Sequence, residues 1–241
     1  MTGERRRRDR AATVVRWAAV ACGILAATGS WVHADTEGIL PKVLIIGDSI
    51  SIGYTKPLER ILDGKAVVVH NPGNAGPSSK GLANLDEWLG DVKWDVIHFN
   101  HGLHDLKYVD DKGKNVTSKE AGHMQVPVEQ YAKNMEAIVR RLKKTGAKLI
   151  FATTTPYPDK LEGPLREAGQ AEIYNAAALK IMKKHGVIVN DLYSFALPRL
   201  KELQRPNNVH FTDNGSAELA KQVAEHILKA IGQQTVPLKA E

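Results

Sequence analysis

Lys42-Val43-Leu44-Ile45-Ile46-Gly47-Asp48-Ser49-Ile50 is the stretch that decides how the chain is read. Its apolar part is too short for a helix and is apolar on both alternating faces, the pattern of a strand covered on each side. The run breaks at Gly47, and a helical pattern follows within a few residues. A serine on such a strand-to-helix turn has an exposed hydroxyl and a free backbone N–H at a helix N-terminus. The same turn can stabilise a developing oxyanion, so it suits a nucleophile. Taken alone, Gly47–Ile50 fits equally a serine that only caps a helix.

Working outward, four more short β-branched runs recur: Ala66–His70, Trp94–Phe99, Lys148–Ala152 and Val187–Asn190. Helical patterns near 56–63, 80–90, 127–145, 166–184 and 215–232 separate and follow them. Met135, Ile138, Val139 and Leu142 keep the three-and-four spacing of an amphipathic helix, which Gly146 closes. Strand–helix alternation of this kind predicts a three-layer α/β domain, whose ligands bind beyond the carboxyl ends of the strands. Two segments break the rhythm, the polar 107–126 and the TTTPYP-containing 153–169. Both leave strand C-termini and are expected to overhang the same face.

The 241 residues, 43% hydrophobic and 25% charged, carry a net +6. Such usage excludes disordered, collagenous and disulfide-scaffold classes, and the length suits one domain. The charge is local: six basic and two acidic residues fall in the first 16 positions, and the remainder carries 27 cations against 25 acids. That basic leader, the apolar Trp17–Val32 and the small residues of Val32-His33-Ala34 predict an export signal over 1–34. A mature domain over 35–241 follows, periplasmic or secreted. The 16-residue apolar core is short for a bilayer span of about 20, so no membrane insertion is expected after cleavage. Cys22 is the only cysteine, so the mature chain has neither thiol chemistry nor disulfides.

Three further islands follow the first. Asn71-Pro72-Gly73-Asn74-Ala75-Gly76 comes after the second strand and Gly102-Leu103-His104-Asp105 after the third. Asn207-Asn208-Val209-His210-Phe211-Thr212 precedes the last helix. In this order the four resemble the GDSL esterases of the SGNH hydrolase superfamily, over about 42–232. The resemblance implies a flavodoxin-like α/β fold with a five-stranded parallel sheet of order 2-1-3-4-5. It also implies ester hydrolysis through a serine acyl-enzyme, with no cofactor. Ser49 would be the nucleophile and His210 the base. The N–H groups of Ser49 and Gly73 would donate to the oxyanion, and Asp48 and Asp105 would support the site.

Two departures from the family pattern touch the mechanism. His104 stands where the family has an oxyanion-hole asparagine, and an imidazole N–H can donate there only in the right tautomer. Asn207 stands where the family has the aspartate of D-x-x-H. It is expected to present its amide oxygen to His210, with Asp105 or Asp213 as competing supports.

Other patterns have plainer readings. His98, His101 and His104, with Asp105, look superficially like metal ligands, but alternate faces of a strand separate them. No metal is expected. Arg140-Arg141-Leu142-Lys143-Lys144 complements a helix dipole rather than marking nucleic acid. Asn115-Val116-Thr117 and Asn214-Gly215-Ser216 are sequons, meaningful only in a eukaryotic secretory host. The sequence thus predicts an exported esterase acting on short acyl groups, acetyl foremost, of a small-molecule or oligosaccharide ester. Polar residues such as Asp110, Asp111, Lys112, Lys114 and Asn115 argue against the apolar trough of a lipase. The alternatives are a lysophospholipase or arylesterase, a binding protein on a hydrolase scaffold, and a metal-dependent hydrolase.

Overall fold

The computed structural model describes residues 40–233. The expected signal segment, its cleavage site and Cys22 lie outside the described residues. In chain order the elements are β1 (Lys42–Ile46), α1 (Ser49–Ile61), β2 (Val67–His70), α2 (Ser78–Leu89) and β3 (Val96–Phe99). Next come β4 (Tyr108–Val109), β5 (His123–Met124), α3 (Val128–Lys143), β6 (Lys148–Ala152), α4 (Gln170–His185) and β7 (Ile188–Asn190). Two short helices, α5 (Leu192–Ala196) and α6 (Leu200–Leu203), lead to α7 (Asp213–Ala230).

The main sheet is parallel, in the order β2-β1-β3-β6-β7. Its five strands are the five apolar runs, so their order is 2-1-3-4-5 when counted along this sheet alone. Residues alternate across it. Val43 and Ile45 of β1 join Ile150 in the core beneath α1 and α7. Leu44 and Ile46 join Ile97, Phe99 and Phe151 under α2, α3 and α4, with Tyr131 and Tyr174 between the helices. Both faces are therefore covered, which is why the strand sequences are uninterrupted apolar runs.

α1 starts earlier than its propensities suggest. Ser, Gly, Tyr and Thr are weak helix formers, yet the helix begins at Ser49 because the Asp48 side chain accepts from the Ile50 N–H at 2.9 Å. Packing on α7 holds the rest. The two irregular segments are joined to each other. β4 and β5 form a two-stranded hairpin within 107–126. The Tyr108 N–H donates to Leu165 O at 3.0 Å, and the Leu165 N–H donates to Val116 O at 2.8 Å. Tyr108 Oη donates to Glu167 at 2.6 Å, and Lys119 pairs with the same carboxylate. This zipper fixes residues 165–167 over the carboxyl end of the sheet.

Candidate active site

Ser49 is the first residue of α1, half-buried at the end of β1. The loop before α7 returns to it: Gln204 bridges Phe211, and the Arg205 N–H donates to His210 O at 2.9 Å. This turn puts His210 Nε2 2.9 Å from Ser49 Oγ. On the far side of the ring, Nδ1 lies 2.7 Å from Asn208 Oδ1.

The proton positions follow from a third bond. The His210 backbone N–H, which can only donate, points at the same Asn208 atom at 2.9 Å. That atom is therefore the amide oxygen, and the flip ambiguity of asparagine is removed. An oxygen facing Nδ1 requires the ring proton to be there. Nε2 then carries the lone pair that accepts from the Ser49 hydroxyl.

The acceptor is thus Asn208, whereas the spacing of the family motif points to Asn207; the structure corrects that expectation. Asn207 adopts φ 52°, a left-handed conformation that asparagine tolerates. Its carbonyl accepts from the Glu162 N–H at 2.8 Å, its side chain makes no bond to His210, and it faces a neighbouring cavity. Asn208 instead closes an Asx turn onto His210 two residues on, a local signal that sequence reasoning could have used. Asp105 and Asp213 do not touch His210 either.

The other anticipated residues fall as follows. Gly73 sits at φ 63° in the turn after β2, a left-handed position where a side chain would be strained. Asn71 locks that turn. Its Oδ1 accepts from the Gly47 N–H at 2.9 Å, and its Nδ2 donates to Gly73 O at 3.0 Å. Among the described residues the N–H groups of Ser49 and Gly73 have no protein acceptor. His104, half-buried, has no hydrogen-bond partner there. Burial pushes its imidazole down to about 3, with Lys107, Arg166, His101 and Lys80 adding to the effect. It is a neutral ring with an N–H to give.

Asp48 is buried beneath the turn. Burial pushes its carboxyl up, while the Ile50 N–H and the charges of Arg166 and His210 pull it down. Burial lowers the His210 imidazole; Asp48 opposes this, and Arg205 and Arg166 reinforce it. Asp105 lies deeper and anchors α2. It accepts from the Ser78 N–H at 2.9 Å and from the Ser78 hydroxyl, which Asn134 Nδ2 contacts at 2.9 Å. Burial raises Asp105 to about 7 against those bonds. Its second oxygen is buried without a partner, the natural seat of the proton.

The three spaced histidines are dispersed. His98 is wholly buried on the α1 side, edge-on to Tyr54, with its ring nitrogen 3.2 Å from Asn190. His101 lies 3.1 Å from Gly76 O and packs on Gly81, where a Cβ would strike the ring. Among the described residues no three His, Cys, Asp or Glu side chains are placed to share an ion.

The profile of the GDSL-like lipase/acylhydrolase family matches residues 45–217. The chain belongs to that family. As a GDSL hydrolase it is a carboxylic ester hydrolase, and solved structures share its three-layer fold. One is the lipase/acylhydrolase from Enterococcus faecalis, 19% identical, with TM-score 0.64 over 83% of this chain and 100% of that one. Another is a variant of an acetyl xylan esterase from Geobacillus stearothermophilus. It is 19% identical, with TM-score 0.63 over 82% of this chain and 97% of that one. A second acetyl xylan esterase is 16% identical, with TM-score 0.62 over 77% and 99%. No curated protein matches the sequence.

Sequence reasoning missed two features of this GDSL hydrolase besides Asn208. One is a cavity of about 590 Å³ beside the returning loop, with Tyr157, Glu172, Tyr193 and Asn207 among its walls. The other is Arg166, which the helical pattern read at 166–184 would include but which precedes the observed helix start at Gln170, and which carries no functional signal in the sequence.

Proposed function

We propose that this GDSL hydrolase is an exported serine esterase that removes short acyl groups, acetyl foremost, from carbohydrate. The observation that carries the reading is the chain Asn208 Oδ1, His210, Ser49 Oγ, at 2.7 and 2.9 Å. Ser49 Oγ attacks the acyl carbonyl carbon while its proton passes to His210 Nε2. The oxyanion takes the N–H groups of Ser49 and Gly73, with His104 as third donor. The C–O bond to the sugar breaks as Nε2 returns the proton to the leaving oxygen. Water then repeats the sequence on the acyl-enzyme, releasing the carboxylic acid and restoring Ser49.

The substrate class rests on the neighbouring cavity and on the structures of similar fold. The cavity wall offers two tyrosines and two carboxylates, Asp159 and Glu172, a lining suited to sugar hydroxyls. Two solved structures of similar fold are titled acetyl xylan esterases. Export rests on the leader, and no described helix is long and apolar enough to cross a membrane.

The test is hydrolysis of 4-nitrophenyl acetate, butyrate and octanoate. Activity should fall with chain length and drop at least ~10³-fold in Ser49→Ala, where only binding and oxyanion stabilisation remain. Ser51→Ala should stay within about tenfold, since Ser51 Oγ is turned away to Asp48 O and His70. Equal loss in both variants, or abolition by a chelator, overturns the serine mechanism. Mass spectrometry of the exported protein should find its N-terminus near Asp35; an intact 17–32 segment refutes the signal.

A further inference from the structure

Among the described residues Arg166 is the one buried arginine or lysine, only 9% exposed, and it lies near the site. Its Nε donates to Leu103 O at 3.0 Å, one residue from His104. Among the described residues its two terminal nitrogens make no hydrogen bond, and no carboxylate lies within 4.0 Å of the guanidinium. A guanidinium taken out of water is costly unless its donors find acceptors. Here four N–H donors are left over, in a part of the molecule close enough for the guanidinium to favour the Asp48 carboxylate and to disfavour protonation of His210 and His104.

The placement is rigid. Leu165 and Glu167, on either side, are tied by the zipper to Tyr108, Val116 and Lys119, and Tyr157 Oη donates to Glu167 O at 2.8 Å. Lys107, half-buried at the start of the 107–126 segment, also lacks an anionic partner among the described residues, and its ammonium and Arg166 repel one another. Nearby carboxylates are spoken for: Asp48 caps α1, Asp105 caps α2, and Glu167 faces Lys119 and Tyr108. The fold thus holds two like charges close to one another near Ser49 and His210, with Asp48 the nearby carboxylate, and among the described residues neither cation makes a salt bridge.

We propose that Arg166 and Lys107 form a subsite for a carboxylate carried by the substrate, so that the preferred esters are anionic. A planar fork with free donors fits a carboxylate bidentately, and the ammonium adds a point charge. The carboxylate could sit on the alcohol side, as in an O-acetylated uronic acid, or on the acyl side, as in a dicarboxylic half-ester. This rests on the esterase reading above and refines its substrate class.

The experiment compares kcat/KM within matched pairs. On the alcohol side the pair is O-acetyl galacturonic acid and its methyl ester; on the acyl side it is 4-nitrophenyl hydrogen succinate and 4-nitrophenyl butyrate. The anionic member should be favoured in one pair, which identifies the source. Hydrogen bonds to a charged group are worth about tenfold to a hundredfold, and the preference should shrink as salt is raised. Arg166→Gln and, separately, Lys107→Gln should each cut the preference, while Lys144→Gln, at the opposite end of the sheet, should not. If Arg166→Gln does not fold, Lys107→Gln and the salt series still decide. No anionic preference in either pair, or equal loss on both members in the variants, overturns the proposal. Absence of activity on every ester, 4-nitrophenyl acetate included, would instead overturn the esterase reading.

Discussion

Replacing Asn208 by aspartate tests the triad at the point where it departs from its family. The side chain keeps its shape, so the oxygen that accepts from the His210 N–H and from Nδ1, at 2.9 and 2.7 Å, is retained. What changes is charge. In the proposed mechanism an imidazolium forms on His210 as Ser49 gives up its proton, and a carboxylate there would sit roughly 5 Å from its centre. At an effective dielectric of 20 the attraction is about 3 kcal/mol. Both residues are half-exposed, which reduces it to about 1.5–3 kcal/mol, or roughly tenfold to a hundredfold in kcat on a neutral ester. The same charge raises the His210 pKa, which burial now holds below its ordinary value. His210 is a base only when deprotonated, so the acidic limb of the kcat/KM profile should move to higher pH. The gain should therefore show above neutrality and shrink in acid. The assay is the pH–rate profile on 4-nitrophenyl acetate, with Asn207→Asp beside it. A shifted limb in Asn207→Asp and an unmoved one in Asn208→Asp would refute the assignment and restore the motif's own spacing.

Three further outcomes follow from the surroundings. His104→Ala should lose ~10²–10³ in turnover on 4-nitrophenyl acetate while His104→Asn keeps most of it, as expected for a lost oxyanion donor; like behaviour of the two would remove His104 from the oxyanion site. Stability should also be acid-sensitive, because His98, His101 and His104 are held at about 3, 4 and 3 in the fold and take up protons near 6.5 once unfolded. The unfolded chain binds more protons between those limits, so Tm should fall as pH drops below 6.5. Asp105 works the other way: raised from 3.8 to about 7, it favours the fold below 3.8 and loses that contribution as pH rises through about 7. Between 3.8 and 7 Asp105 therefore offsets part of the histidine effect, and Asp105→Asn should steepen the fall of Tm on acidification from pH 7; an unchanged slope would show that Asp105 is ionised throughout.

The sheet was legible because each of its strands is buried on both faces. KVLII, AVVVH and KLIFA have no polar face to hide, and their spacing leaves room only for crossover helices. The start of α1 was harder, since one side-chain bond from Asp48 outweighs the weak propensities of Ser49–Thr55. The β4–β5 hairpin has two residues per strand and shows no period at all. In the candidate site, Ser49 and His210, which the structure brings within 2.9 Å, could be singled out from sequence because each stands at a fixed place on a turn. Asn207 misled because motif spacing counts residues, whereas the contact depends on backbone conformation. A left-handed Asn207 turns its side chain away, and the next residue takes its place. Arg166 had no functional signal of any kind: its position is set by bonds between two loops 50 residues apart in sequence, and no local pattern encodes those.

The neutral residue at 208 and the unpaired Arg166 belong to one charge arrangement. His210 lies among Asp48, which favours its protonated form, and Arg166 and Arg205, which oppose it. A carboxylate at 208 would join the same small neighbourhood, and its field would partly cancel that of Arg166, whose terminal donors have no acceptor among the described residues. An amide controls the tautomer of His210 equally well and leaves the guanidinium free. On this reasoning the negative charge missing from the triad is supplied by the substrate, whose carboxylate also offsets the cations that disfavour the imidazolium. Asn208→Asp should then do two things together. It should speed neutral esters, as argued above, and it should weaken the preference for the anionic member of the matched pair. The second effect should be smaller than that of Arg166→Gln, because the guanidinium remains and only its field is partly cancelled. Measuring both kcat/KM values in wild type, each single variant and the double variant gives the coupling between the two sites. Strict additivity of the two substitutions would show that 208 and 166 do not share a field, and the link between the missing carboxylate and the anionic substrate would fail.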